Sequence, residues 1–179
     1  MQTGSIEIRL RAEQPEDSEF LYLLYASTRA NEMALAPWSE EQKEAFLRSQ
    51  FHLQRTHYRH YYPEASFDVI VHDTQPIGRL YVHRSSAEIR LMDIAIIPQY
   101  RSGGLGTRLL TRLLDEAVST GKLLTLHVER NNPAIRWYEK LGFRSVADAG
   151  PYVQMERRAR SEPTGAKPHP ADRGDANGC

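Results

Sequence analysis

The chain has 179 residues and a formal net charge of zero, with 23 Lys and Arg residues against 23 Asp and Glu residues. That balance excludes a general electrostatic attraction to nucleic acid or anionic lipid, and the length suits one domain with a continuous core. The only cysteine is the final residue, Cys179, which excludes an intrachain disulfide and a cysteine-based metal cluster. No apolar run reaches the roughly 18–20 residues of a membrane span and no signal peptide is evident, so we expect a soluble, cytoplasmic protein.

The first half of the chain predicts a strand, two helices and three strands. "SIEIRL" alternates polar and apolar residues, as a strand does. The first helix begins near Pro15, and the second, in "WSEEQKEAFLRSQFHLQRTHY", begins with the capping-box pair Ser39 and Gln42. "FDVIVHDTQPIGRLYVHR" then indicates two strands joined by a turn, and "EIRLMDIAIIP" indicates a longer strand that Pro98 ends.

The second half predicts a helix, a strand, a helix and a final strand. The first helix follows the glycine-rich segment "QYRSGGLGTRLL" and ends near Gly121, and "LLTLHV" is an apolar strand. The second helix begins after Asn132 and Pro133 and ends at Gly142, before the last strand, "YVQMER".

The order of these elements indicates an α/β (α+β) domain. A long strand, a glycine turn, a helix and a further strand form a crossover unit, which places two parallel strands in an otherwise mainly antiparallel sheet. From about Ser161 onward the chain has almost no large apolar residues. We therefore expect a single domain over 1–158 and a disordered tail over 159–179.

The glycine-rich turn is the strongest candidate for a binding site. Glycines allow unusual dihedral angles and close approach of a ligand, and the first amides of a helix point at a bound anion. Arg101 and Arg108 can add charge-assisted contacts to a phosphate. The dinucleotide fingerprint fails because Leu109 stands where its third glycine belongs, and the P-loop fails because no Gly-Lys-Ser/Thr follows. On glycine spacing alone, a plain turn between strand and helix is the alternative.

The run Arg101-Ser102-Gly103-Gly104-Leu105-Gly106 fits the pattern Arg/Gln-x-x-Gly-x-Gly/Ala, with which the GNAT N-acetyltransferase superfamily grips the pyrophosphate of acetyl-CoA. "IAIIPQYRSGGLGTRLL" resembles that family's fourth strand, turn and third helix, and "LHVERNNPAIRWYEKLGF" resembles its fifth strand and fourth helix. The resemblance covers roughly residues 6–157. It implies the GNAT fold, a mixed, mostly antiparallel sheet of about six to seven strands flanked by about four helices.

The resemblance also implies direct acetyl transfer from acetyl-CoA, the co-substrate, to a primary amine of a small molecule, peptide or protein in a ternary complex. Tyr138 falls where the family often carries the acid that protonates the departing thiolate, with packing on its helix face as the alternative. A backbone N–H near 94–97 would stabilise the oxyanion. The implied coenzyme contacts are Ile94, Ile96, Arg101, Ser102, Gly103, Gly104, Leu105, Gly106, Thr107, Asn131 and Tyr138.

The choice of Asn131 depends on how the strand-to-helix loop is counted. Asn131 stands seven residues before Tyr138, the spacing usual in the family, whereas counting from Val128 selects Asn132. Asn132 before Pro133 is well explained as a helix cap, so Asn131 is the preferred coenzyme contact.

Three residues are candidates for the base that deprotonates the amine. Asp93 and Glu88 lie on the strand along which the thioester should pass, and His127 occupies a position where some relatives have a glutamate. Asp93 and Glu88 have opposite parity on a strand, so they cannot face one pocket unless a bulge intervenes. The sequence does not choose among the three.

The acceptor side should come from the two early helices, where Arg29, Glu32 and Trp38 are candidates and a solvated helix face is the alternative. His57 and His60 lie three residues apart, but the chemistry needs no metal and no acidic cluster is nearby, so we expect no metal site.

We expect no nucleic-acid or membrane partner, and a homodimer is an alternative to a monomer. A non-catalytic CoA sensor or protein-interaction module is the alternative function, although the intact loop together with Tyr138 favours catalysis.

Overall fold

The computed structural model describes residues 7–158; the predicted tail, 159–179, lies outside them. The seven strands are β1 Ile8–Ala12, β2 Ser66–His72, β3 Gln75–Arg84, β4 Glu88–Ile96, β5 Leu123–Glu129, β6 Arg144–Ala149 and β7 Tyr152–Arg157. The five α-helices are α1 Ser18–Thr28, α2 Ala30–Leu35, α3 Glu40–Tyr61, α4 Leu105–Thr120 and α5 Ala134–Lys140.

The strands form one sheet in the order β1-β2-β3-β4-β5-β7-β6. All neighbouring strands are antiparallel except β4 and β5, which α4 connects as the predicted crossover unit. The predicted fold class is therefore confirmed. Within residues 7–158, no helix has both the length and the apolar character needed to cross a membrane.

Local capping signals place most element ends where the sequence predicts them. The side chain of Ser39 accepts a bond from the Gln42 amide at 3.2 Å, and the Gln42 side chain accepts one from the Ser39 amide at 2.9 Å. Gly121 and Gly142 follow α4 and α5 in left-handed conformations. Asn132 accepts a bond from the Ala134 amide at 2.9 Å and so caps α5, as predicted.

Two elements were not predicted. The sequence indicates neither α2, a six-residue helix in which only Met33 is buried, nor β6. Every residue of β6 is exposed, because the strand lies at the edge of the sheet. Neither segment therefore shows the apolar periodicity by which elements are found in a sequence.

The two faces of the sheet carry separate cores. On one face α4 and α5 pack over strand residues such as Leu91 and Leu124. On the other, α1 and α3 contribute Leu21 and Phe51, which pack against Val69 in the half of the sheet nearer β1.

A bulge in β4 decides which of its polar side chains share a face. Tyr81 pairs with Asp93, but Val82 pairs with Leu91, so Met92 is an extra residue. Parity therefore inverts across the bulge, and Glu88 and Asp93 both face the side of α1 and α3. The bulge that Glu88 and Asp93 need in order to share a face of the strand is thus present.

Candidate active site

The parallel strands β4 and β5 separate in the middle of the sheet. Their pairing covers only Glu88–Leu91 and Leu123–Leu126, although both strands continue beyond it. A cavity of about 270 Å³ fills the resulting gap. It is lined by Tyr25, Thr28, Arg29, Gln54, Tyr58, Arg79, Met92, Asp93, Ile94, Ala95, His127, Val128, Glu129, Asn132, Tyr138 and Tyr152. We call this cavity the central cleft.

A second cavity, of about 360 Å³, lies over the glycine-rich turn at the start of α4. It is lined by Ile96, Tyr100, Arg101, Ser102, Gly104, Leu105, Gly106, Thr107 and Trp137. No backbone amide from 102 to 107 donates a hydrogen bond to another residue of the described chain. Six consecutive free donors at a helix N-terminus suit the oxygens of a phosphate group.

Different residues of the turn have different tasks. Gly104 has a φ of 76°, and Ser102, at 64°, also adopts the left-handed region, whereas Gly103 does not. A Cβ on Gly106 would lie 3.4 Å from the ring of Trp137, an ordinary van der Waals distance, so that ring packs closely on this turn of the helix. The backbone conformation therefore favours glycine at 104, whereas the space beside Gly106 would accept a methyl group.

The two predicted cations of this site behave differently. Arg101 lines the cavity, but its Nε donates to the Ile96 carbonyl at 2.7 Å and its Nη2 to Ser27 at 3.1 Å. These bonds tie the turn to β4 and α1. Arg108 is not among the residues that line the cavity.

Tyr138 projects from α5 into the central cleft and is 7% exposed. Its ring packs edge-on against Phe143, with centroids 5.7 Å apart. Burial, reinforced by the charge of Asp93, raises the pKa of Tyr138 above its usual value. The phenol is therefore protonated at neutral pH.

The asparagine that lines the central cleft is Asn132. Asn131, the coenzyme contact preferred from the sequence, lines neither of these cavities.

Of the three candidate bases, Asp93 and Glu88 are already engaged. Asp93 accepts from Arg79 Nη2 at 2.8 Å and from its Nε at 3.3 Å, and Arg79 is 2% exposed. Glu88 is bonded to Thr125 at 3.0 Å and to Arg90 at 2.9 Å, and it does not line the cleft.

His127 differs from both carboxylates. It lines the central cleft, and its imidazole forms no hydrogen bond or ion pair with any other residue in 7–158. Partial desolvation in the cleft, and then the charge of Arg90, lower the pKa of His127 from its usual value of 6.5, although part of the side chain is exposed. The imidazole is therefore neutral, and able to accept a proton, at pH 7.

A third cavity, of about 580 Å³, lies between the helices α1 and α3 and the sheet. It is lined by Tyr25, Arg29, Gln50, Leu53, Gln54, His57, Tyr58, Tyr62, Arg90, Leu91, Met92, His127, Glu129, Ala149 and Tyr152. Several of these residues, His127 among them, also line the central cleft, so the two cavities are continuous. We call it the acceptor cavity.

Of the three residues predicted to bind the acceptor, only Arg29 lines the acceptor cavity. Arg29 is held by two bonds to Glu32, at 2.5 and 2.7 Å, and by one to Tyr25 at 2.9 Å. Glu32 thus supports Arg29 without lining the cavity. Trp38 packs on Phe46 instead.

Several lining residues were not singled out from the sequence. Tyr58 lies near the C-terminal end of α3, and Tyr62 directly follows that helix. Glu129 lies two residues after His127 on β5, so the two side chains share a face of the sheet. That alternation along a strand is the sequence signal that would have identified Glu129. Within the described part of the chain, no group of three or more His, Cys, Asp or Glu residues is arranged to hold a metal ion.

Comparison with known proteins gives one family. The profile of the acetyltransferase (GNAT) family matches residues 27–143. The [ribosomal protein bS18]-alanine N-acetyltransferase of Haemophilus influenzae is 35% identical over 78 residues, which are 43% of this chain and 53% of that protein. The chain thus spans about half the length of this curated relative.

Solved structures share the fold. The PaiA N-acetyltransferase from Thermoplasma acidophilum, in complex with coenzyme A, has a TM-score of 0.62 at 22% identity, over 85% of this chain and 99% of that one. The ribosomal-protein-S18-alanine N-acetyltransferase from Escherichia coli has a TM-score of 0.58 at 22% identity, over 88% and 97%.

Proposed function

The chain belongs to the acetyltransferase (GNAT) family, and from this we propose that it is an acyltransferase that transfers acetyl from acetyl-CoA directly to a primary amine in a ternary complex. One observation carries the proposal: the acceptor cavity opens into the central cleft beside Tyr138 and His127. The phosphate-binding turn lies at the end of β4, which also lines that cleft. Donor and acceptor sites are thus joined at the residue proposed to accept a proton, His127, and the residue proposed to donate one, Tyr138.

The residues present fit acetyl-CoA. The free amides of 102–107 suit its diphosphate, and the gap between β4 and β5 suits an extended arm that ends at Tyr138. Among the structural neighbours, PaiA N-acetyltransferase was solved with coenzyme A. When bound, acetyl-CoA supplies the activated acetyl thioester. Beyond Leu91, β4 has no partner on the β5 side among the described strands, so its backbone N–H groups there can donate to an oxygen that gains negative charge.

His127 is the proposed base, acting directly or through water. It is neutral at pH 7 and lines both the acceptor cavity and the cleft, so it can take a proton from the incoming ammonium group. Asp93 cannot take this proton without releasing a buried guanidinium. Glu129, which also lines both cavities, provides a negative charge that favours the cationic form of the amine as it enters.

Tyr138 is the proposed acid. Its raised pKa keeps the phenol protonated through the physiological range, and its place on α5 directs the ring into the cleft. A proton held there can be given to the sulfur of the leaving thiolate.

The acceptor is a primary amine of a small molecule or a peptide. The curated relative from Haemophilus influenzae acts, by its name, on an alanine of a ribosomal protein, so peptide N-termini are the first acceptors to test. A cavity of about 580 Å³ with aromatic walls is large enough for a drug-sized ligand or the end of a peptide.

The function is tested by acetyl-CoA turnover against peptides, amino acids, polyamines and aminoglycosides, read as thiol release. Tyr138→Phe should lower kcat at least about 100-fold while the Kd of CoA stays constant, because only proton donation is lost. Tyr61→Phe, which removes a phenol that lines none of the three cavities, is the matched control. CoA binding without turnover on any amine would favour the sensor function, and an unchanged kcat in Tyr138→Phe would remove this residue as the acid.

A further inference from the structure

Trp137 joins the helix that carries the proposed acid to the proposed phosphate site. It precedes Tyr138 on α5, and its ring lies 3.4 Å from the position of a Cβ on Gly106. Its indole Nε1 donates to the hydroxyl of Thr107 at 3.0 Å. Both Trp137 and Thr107 line the cavity over the glycine turn.

This bond determines what the Thr107 hydroxyl can do. The indole N–H is a donor only, so the oxygen of Thr107 must act as the acceptor and its own proton must point elsewhere. A helical threonine can give that proton to the preceding turn, as Thr111 does to the Thr107 carbonyl at 2.8 Å. Thr107 makes no such bond with any residue in 7–158, and its side chain is exposed beside the free amides.

We propose that Trp137 is a positioning residue for coenzyme binding, which fixes the Thr107 hydroxyl as a donor to a phosphate oxygen of CoA. The inference rests on the proposed function and assigns a binding role to the tryptophan. Trp137 acts through Thr107: the indole occupies the acceptor side of the hydroxyl, and the remaining proton joins the row of amides that faces the anion. A hydrogen bond to a charged phosphate is among the stronger ones in proteins.

A double-mutant cycle on the Kd of CoA, measured by calorimetry, tests the coupling. Thr107→Val, which removes the donor, should raise Kd about tenfold, and Thr107→Ser, which keeps the hydroxyl, should leave it near the wild-type value. Trp137→Phe keeps an aromatic side chain but loses the indole N–H and part of the packing on Gly106, and it should raise Kd about threefold. In the Thr107→Val background, Trp137→Phe should have no further effect.

The kinetic constants separate positioning from general support of α5. Trp137→Phe should raise KM for acetyl-CoA and leave both kcat and KM for the amine unchanged, because Tyr138 keeps its place. An equal rise in Kd in both Thr107 backgrounds, or a fall in kcat at constant Kd, would overturn the inference.

Two controls keep the result readable. Thr107→Val and Thr107→Ser test the hydroxyl donor while Trp137 stays in place, so they remain informative even if Trp137→Phe does not fold. If Thr107→Val binds CoA with the wild-type Kd, the proposal fails. A wild-type protein that does not bind CoA would refute the proposed function itself, which is a different result from binding without coupling.

Discussion

The ion pair between Arg79 and Asp93 gives the sharpest test of how the site is built. Arg79 is 2% exposed, and the Asp93 side chain, 16% exposed, faces it at 2.8 Å. Replacing Asp93 by Asn leaves a guanidinium buried without its counter-charge. Breaking a buried pair in this way costs about 3–5 kcal/mol of unfolding free energy.

For a chain of this size, that loss lowers Tm by roughly 6–20 °C, since each 1 kcal/mol is worth about 2–4 °C. Urea unfolding followed by circular dichroism measures the free energy directly. Glu88→Gln is the matched control, because its pair with Arg90 is only partly buried and should be worth about 1 kcal/mol or less. The double replacement Arg79→Met with Asp93→Leu removes both charges and should be more stable than Asp93→Asn.

Two outcomes would refute this reasoning. A loss below about 1 kcal/mol in Asp93→Asn would show that the pair is not a desolvated one. A stable Asp93→Asn protein with kcat reduced at least about 100-fold would return Asp93 to the role of base.

Two further predictions concern pH and backbone strain. Because partial desolvation and the charge of Arg90 lower the pKa of His127, the acid limb of the kcat/KM profile should lie below pH 6.5. Arg90→Gln removes that charge and should move the acid limb to higher pH. An acid limb that stays in place would exclude His127 as the base. Gly104→Ala places a side chain at a φ of 76° and should lower the free energy of unfolding by about 1–2 kcal/mol in the same urea assay. Gly103→Ala, at a residue outside the left-handed region, is the control and should lower it by less than about 0.5 kcal/mol. Equal losses in the two variants would contradict the assignment of backbone strain to Gly104.

The parts of the site that local sequence specifies were predictable. The glycine turn, the start of α4 and the cap at Asn132 each depend on residues within a few positions of one another, and all three lie where the pattern indicates. The central cleft could not be predicted in the same way, because neither the β4 sequence nor the β5 sequence alone indicates where the pairing of the two strands ends.

The choice of base could not be made from the sequence because it depends on distant partners. Asp93 is occupied by Arg79, which is 14 residues away, and Arg79 also donates to Gln54 on α3 at 3.1 Å. The bulge at Met92 brings Asp93 to this face, and only the pairing register reveals it. A tertiary contact with Arg79 thus disfavours Asp93 as the base, whereas among residues 7–158 no hydrogen bond or ion pair engages His127.

The separation of β4 from β5 bears on how two substrates would reach the proposed site. The glycine turn and Trp137 lie with α4 and α5 on one side of the sheet, and the acceptor cavity lies with α1 and α3 on the other. The gap between the strands is where the two sides meet. Under the proposed function, neither substrate would have to pass the other's entrance, and each product could depart by the side from which its precursor came.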